Sequence, residues 1–128
     1  MPASFRIDPA RRLVVSCAWD VLHSDEIRDF GARLLNDAAF DASFAELIDL
    51  RALERVEASC DMLGAAAKER VFQPHTRRAI VVAAPWVYGL ARVFAAYGEM
   101  ADQHIRVFYR IEDAYAWLGV SGVHVGTE

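Results

Sequence analysis

The segment Ala79-Ile80-Val81-Val82-Ala83-Ala84 is apolar at every position, and Pro85 follows it directly. A strand with one wet face alternates apolar and polar residues. A run with no polar side is covered on both faces. Such a strand lies at the centre of a sheet, parallel to its neighbours, with helices over it. Pro85 has the fixed φ that suits the first turn of a helix, so the next element opens there. This one run restricts the chain to the α/β class.

The flanking segments supply the remaining elements. Phe44–Leu50 reads as a second buried strand, Arg51–Ala58 as a polar loop, and Ser59–Val71 as a helix opening at Ser59 or Cys60. Gly64–Ala67 would give that helix a smooth surface for close approach to the sheet. Phe5–Asp8 alternates as a half-buried strand does, and Asp8-Pro9-Ala10-Arg11 is a turn in which Asp bonds back to the backbone. Leu13–Val21 then pairs with the first strand as an antiparallel hairpin, placing Leu13, Val15, Cys17 and Trp19 on one face. Ser24 is expected to cap a helix with Asp25 and Glu26 in its first turn. Its buried stripe would be Ile27, Phe30, Gly31, Leu34 and Leu35, and it would end near Asp37.

A third helix follows over Pro85–Met100, then a strand over Ile105–Tyr109 and a short helix over Ile111–Leu118 closed by Gly119. The order is ββαβαβαβα. It predicts a single α/β domain over residues 1–128, with a mixed sheet: an antiparallel hairpin, then parallel βαβ units. Residues 120–128 are expected to be loose or paired with an edge.

Composition excludes several function classes. The formal charge is -4 and no Lys or Arg run exceeds the pairs Arg11–Arg12 and Arg77–Arg78, so no nucleic-acid partner is expected. Met1-Pro2-Ala3-Ser4 lacks the basic start and apolar core of a targeting segment. The longest apolar stretch contains Pro85 and stops at Arg92, short of the about 20 residues a membrane span needs. Cys17 and Cys60 form no CxxC and read as reduced thiols in a cytoplasmic protein.

The chemistry-bearing residues do not converge in sequence. His23, His75, His104 and His124 share no ligand spacing, so no metal or other cofactor is implied. Triad, paired-carboxylate and phosphate-loop patterns are absent, so the chain is not expected to be an enzyme. Cys60 is expected to be a small buried residue, and His75 with Arg77 and Arg78 a solvated edge. Asp49, at the end of the buried strand, is expected to tie down the loop that follows it.

The third helix is apolar over too much of its girth for a surface helix. Val87, Leu90, Ala91 and Phe94 make one stripe; Trp86, Val93, Tyr97 and Met100 make a second that needs a cover. The cover is the chain's own core, a second subunit in a homodimer, or an apolar ligand. The ligand would lie in a slot beside the second helix lined by Met62, Phe72, Phe94 and Tyr97.

Three segments in this order are similar to the SpoIIAA-like branch of the STAS domains, the anti-sigma-factor-antagonist fold. They are LIDLRALERV at Leu47–Val56, RRAIVVAA at Arg77–Ala84, and VFYRIEDAYAWLG at Val107–Gly119. STAS domains carry Asp-Ser-Ser/Thr-Gly at the start of the second helix, where a partner kinase phosphorylates one hydroxyl. The matching positions here are Glu57, Ala58, Ser59 and Cys60, so only the phosphoacceptor position, Ser59, is retained. The resemblance implies a non-enzymatic regulatory module that binds itself or another protein. Docking would use the corner carrying Asp49, Arg51, Glu57 and Cys60. A further likeness of this branch to lipid-carrying Sec14-type domains implies, as the alternative, a binder of an apolar ligand or lipid.

Overall fold

The computed structural model describes residues 3–120, so the tail expected beyond Val120 lies outside the described residues. The elements are β1 (Ala3–Asp8), β2 (Leu13–His23), α1 (Ser24–Leu35), β3 (Ala45–Glu57) and α2 (Cys60–Ala67). Then come β4 (Arg77–Val81), α3 (Pro85–Glu99), β5 (His104–Phe108) and α4 (Ile111–Leu118). They form one sheet of order β1-β2-β3-β4-β5. The β1–β2 pair is antiparallel and the other pairs are parallel. The mixed α/β sheet, the hairpin and a doubly covered β4 with parallel neighbours are as the sequence predicts, but β4 is next to the edge strand and β3 is the central one.

The strand order decides where the helices go. From β2 to β5 the chain steps in one direction only, and right-handed crossovers then put every crossover helix on the same face. The buried residues separate accordingly. Ile80, Val82 and Ile105 pack against Val87, Ala91 and Ala95 of α3. Val14 packs with Leu34 of α1 and with Val71 and Phe72. Ala79, Val81, Leu13 and Leu47 point the other way, onto Ile111, Ala114, Tyr115 and Leu118 of α4. Since α4 is no crossover, it is free to take the opposite face. A sheet wound in one direction has no switch point between strands, so the crevice that usually holds a ligand there does not form.

Several boundaries differ from those read in the sequence. Arg51–Ala58 is not a loop: β3 runs on to Glu57, pairing with β2 as far as His23↔Glu57. Two register shifts occur on the way, and β3 spends 13 residues where β2 spends 11. β3 therefore carries two bulges, each of which turns the following side chains to the other face. This brings Leu50, Leu53 and Val56 to the same side, all packed on the three-helix face.

The helix read as Ser59–Val71 is only Cys60–Ala67. Its smooth surface meets α3 rather than the sheet, since a Cβ on Gly64 would lie 3.2 Å from the Tyr97 ring. The first helix has His23, not Ser24, at its N-cap. Glu26 closes this end by accepting the His23 backbone N–H at 2.7 Å. Leu35, read as part of the buried stripe, is 59% exposed. Gly119 takes the left-handed conformation (φ 72) that ends α4, as expected.

Candidate functional site

A polar group lies where the sheet meets the three helices. Ser16 of β2, Glu46 of β3 and Arg78 of β4 occupy the same face of adjacent strands, and all are buried. Register brings them together: Glu46 pairs with Arg78 on one side, and on the other, where its own partner is Val14, Ser16 is the diagonal neighbour two residues along β2. Ser16 Oγ donates to Glu46 Oε2 at 3.0 Å, and Arg78 Nε donates to Glu46 Oε1 at 2.9 Å. Arg78 Nη1 reaches the Gln103 Oε1 at 3.3 Å, and its guanidinium lies over the Phe72 ring, 4.7 Å from the centroid. Glu46 is 0% exposed. An ion pair taken this far out of water gains little net stability over a packed apolar pair.

This group forms the floor of a cavity of about 170 Å³ between the sheet and the helices. The walls are mainly apolar, with Phe30 and Leu34 from α1, Leu63 from α2, and Leu90, Ala91 and Phe94 from α3, and Glu26 and Glu69 also belong to the lining. The bulged end of β3 closes another side through Leu53 and Val56. The lining runs from Glu46, fully buried, to Glu69, which is exposed, so the cavity reaches solvent beside α2. Apolar walls with a few convergent polar groups are what small-molecule sites have in common.

The residues predicted to form a site are distributed as follows. Of the apolar slot, Phe72 and Phe94 line the cavity, whereas Met62 and Tyr97 are outside its lining and Tyr97 instead covers Gly64. Ser16, Glu46 and Arg78 were not singled out as a group. The signal was a carboxylate within a buried strand and an arginine directly before an apolar one. Of the expected solvated edge, His75 and Arg77 are exposed but Arg78 is buried. Arg78 turns inward to Glu46, while Arg77 donates to the Trp117 carbonyl on the α4 face.

The docking residues separate as well. Asp49 and Arg51 form an ion pair at 2.8 Å on the α4 side, bordering a shallow depression with Cys17, Trp19 and Ala52. Glu57 lies further along β3 and pairs with His23 Nδ1 at 3.2 Å. Cys60 is exposed, not buried as expected, because it opens α2 at the surface. Ser59 is the N-cap of α2, its Oγ accepting the Met62 N–H at 3.1 Å.

Asp49 bonds Arg51 through both the backbone N–H and the guanidinium, within the strand rather than across a loop. Burial pushes its carboxyl pKa up, but the Arg51 hydrogen bonds and charge outweigh this and hold it below the ordinary 3.8. A carboxyl depressed on folding contributes stability that is complete above its unfolded pKa and lost as pH falls through the folded value. Asp49→Asn is accordingly expected to flatten the decline of unfolding free energy below about pH 4, read by urea titrations across the acid range. An unchanged slope would mean that Arg51 gives Asp49 no folded-state preference for the charged form.

On the outer side of α3, Trp86, Val93 and Met100 are 44%, 37% and 72% exposed. They recur every seven residues, and the small exposed residues Gly89 and Ala96 lie between them. A Cβ built on Gly89 meets nothing within 4 Å. Val87, Ala91, Ala95 and Gly98 hold the opposite side against the core. The second stripe read from the sequence is thus left uncovered by the described residues at these positions, while Tyr97 is half-buried.

Among the described residues no helix is long and apolar enough to cross a membrane. No family model matches the chain, and no curated protein matches it. Among solved structures it is similar to an uncharacterized protein of the DUF3478 family with a SpoIIAA-like fold from Shewanella loihica PV-4. The TM-score is 0.62 at 20% identity, over 91% of this chain and 93% of that one. The chain has a SpoIIAA-like fold, as its sequence resemblance implied.

Proposed function

We propose that this chain is a non-enzymatic, cytoplasmic interaction module of the regulatory kind, related in role to anti-sigma-factor antagonists, and that it pairs with a second copy of itself through α3. The observation that carries this is the apolar outer stripe of α3, which the exposed Arg92 and Glu99 flank. Trp86, Val93 and Met100 mark a seam about 21 Å long at the 1.5 Å rise of a helix. Large residues one heptad apart, with Gly89 and Ala96 between them, are the pattern by which one helix packs closely on another. A two-fold pairing buries the same stripe on both copies. Light scattering tests it. Twice the chain mass of 14.3 kDa is expected, falling to one mass in Val93→Glu. A single mass for the unmodified chain at high concentration would overturn self-pairing.

A second reading is favoured by the cavity: the module holds a small, mainly apolar molecule between sheet and helices. α3 supplies both surfaces, with Leu90, Ala91 and Phe94 facing the cavity and Val93 facing outward. A ligand inside would bear on the helix that the second copy meets.

A further inference from the structure

We infer that the cavity takes a small uncharged amphiphile, one ring or a short chain long, whose polar head both donates and accepts a hydrogen bond. This rests on the reading of the cavity as a ligand site and adds the chemistry of the head. Size sets the first limit. An apolar cavity of about 150 Å³ is known to hold benzene, and this one is about 170 Å³. A single ring with a one- or two-atom head fits that space; a two-chain lipid does not.

The charge of the floor sets the second limit. Glu46 and Arg78 neutralise each other at 2.9 Å, so the buried floor has no net charge to offer; the other two carboxylates of the lining, Glu26 and Glu69, are half-buried and exposed and stand at the mouth rather than at the floor. An anionic head would place two carboxylates on one buried guanidinium. A cationic head would place two cations on one buried carboxylate. Either arrangement leaves an uncompensated charge out of water, which is strongly unfavourable.

The hydrogen-bonding capacity of the floor sets the third. Each Glu46 oxygen already accepts one bond, from Arg78 or Ser16, and a carboxylate oxygen can accept a second. Arg78 carries five N–H groups and uses Nε and Nη1 for Glu46 and Gln103. A hydroxyl or primary amide donates to the carboxylate and accepts from the guanidinium without disturbing their pairing. A head with no polar atom leaves that capacity unused.

The test is a titration of the ¹⁵N-labelled chain with four near-isosteric probes: benzyl alcohol, toluene, benzoate and benzylammonium. Benzyl alcohol is expected to bind about tenfold tighter than toluene, which makes no hydrogen bond to the charged floor, and than either ion, which leaves an uncompensated charge there. Its shifts should centre on Ser16, Glu46, Arg78 and Ala91. In Ala91→Leu, which fills the cavity from α3, they should disappear. Equal binding of toluene, or tighter binding of benzoate or benzylammonium, would overturn the head chemistry and leave the ligand site standing. If no probe shifts these residues, or if the shifts persist in Ala91→Leu, the ligand site itself falls.

Discussion

Glu46→Ala is expected to destabilise the domain by about 3–5 kcal/mol in urea unfolding. The loss is not the worth of the ion pair. It is the consequence of leaving the Arg78 guanidinium buried, against Phe72 and Gln103, with its counter-charge gone. Ser16 would lose the acceptor of its hydroxyl at the same time. The double change Glu46→Leu with Arg78→Met removes both charges and refills the space with apolar side chains. It is expected to recover most of the stability, because a packed apolar pair commonly equals or exceeds a buried ion pair. It should also erase the preference for an uncharged polar head, leaving toluene and benzyl alcohol alike. A loss below about 1 kcal/mol in Glu46→Ala would show that Arg78 finds water or another partner on its own.

The fold was legible where burial follows a simple period. The all-apolar run ending at Pro85 announced β4 and α3, and alternation announced β1 and β2. β3 was legible only as far as Leu50. Beyond it, Leu50, Leu53 and Val56 recur every third residue, which matches neither a strand's period of two nor a loop. The cause is the pair of bulges: each inverts the alternation, so side chains three apart meet the same face. A single sequence does not announce a bulge. The early end of α2 has a comparable cause. Val71 and Phe72 are neighbours and both are buried, and leaving the helix after Ala67 lets the chain drop both into the core beside α1.

The candidate site was the least legible part because its residues come from three strands. Ser16, Glu46 and Arg78 are separated by 30 and 32 positions and meet only through the pairing register. The corner carrying Asp49, Arg51, Glu57 and Cys60, the expected docking surface, is separate from the enclosed space. The one-directional order β1-β2-β3-β4-β5 has no switch point, and the enclosed space lies beneath the helices instead. What the sequence did show was the apolar excess on α3, since a helix that faces both a cavity and an uncovered outer seam has few positions left for charge.

Leu47→Ala is expected to cost about 2–5 kcal/mol and to leave the ligand preference of the cavity unchanged. Leu47 is the next residue to Glu46, but strand alternation sends it through the sheet to the α4 side. There it is 1% exposed and packs with Leu13, Ala79, Val81 and the buried face of α4. Truncation removes several methyl groups' worth of burial and leaves a void, since strands on either side hold the surrounding backbone in register. The cavity on the opposite face keeps its lining, which does not include Leu47. Two adjacent substitutions of similar severity should therefore separate: Glu46→Ala disturbs both stability and ligand choice, and Leu47→Ala disturbs stability alone. The measurement is urea unfolding of both variants with benzyl alcohol and toluene titrations at low denaturant. A changed ratio of the two affinities in Leu47→Ala would mean that the faces of the sheet are mechanically coupled, and the assignment of head recognition to Ser16, Glu46 and Arg78 would lose its ground.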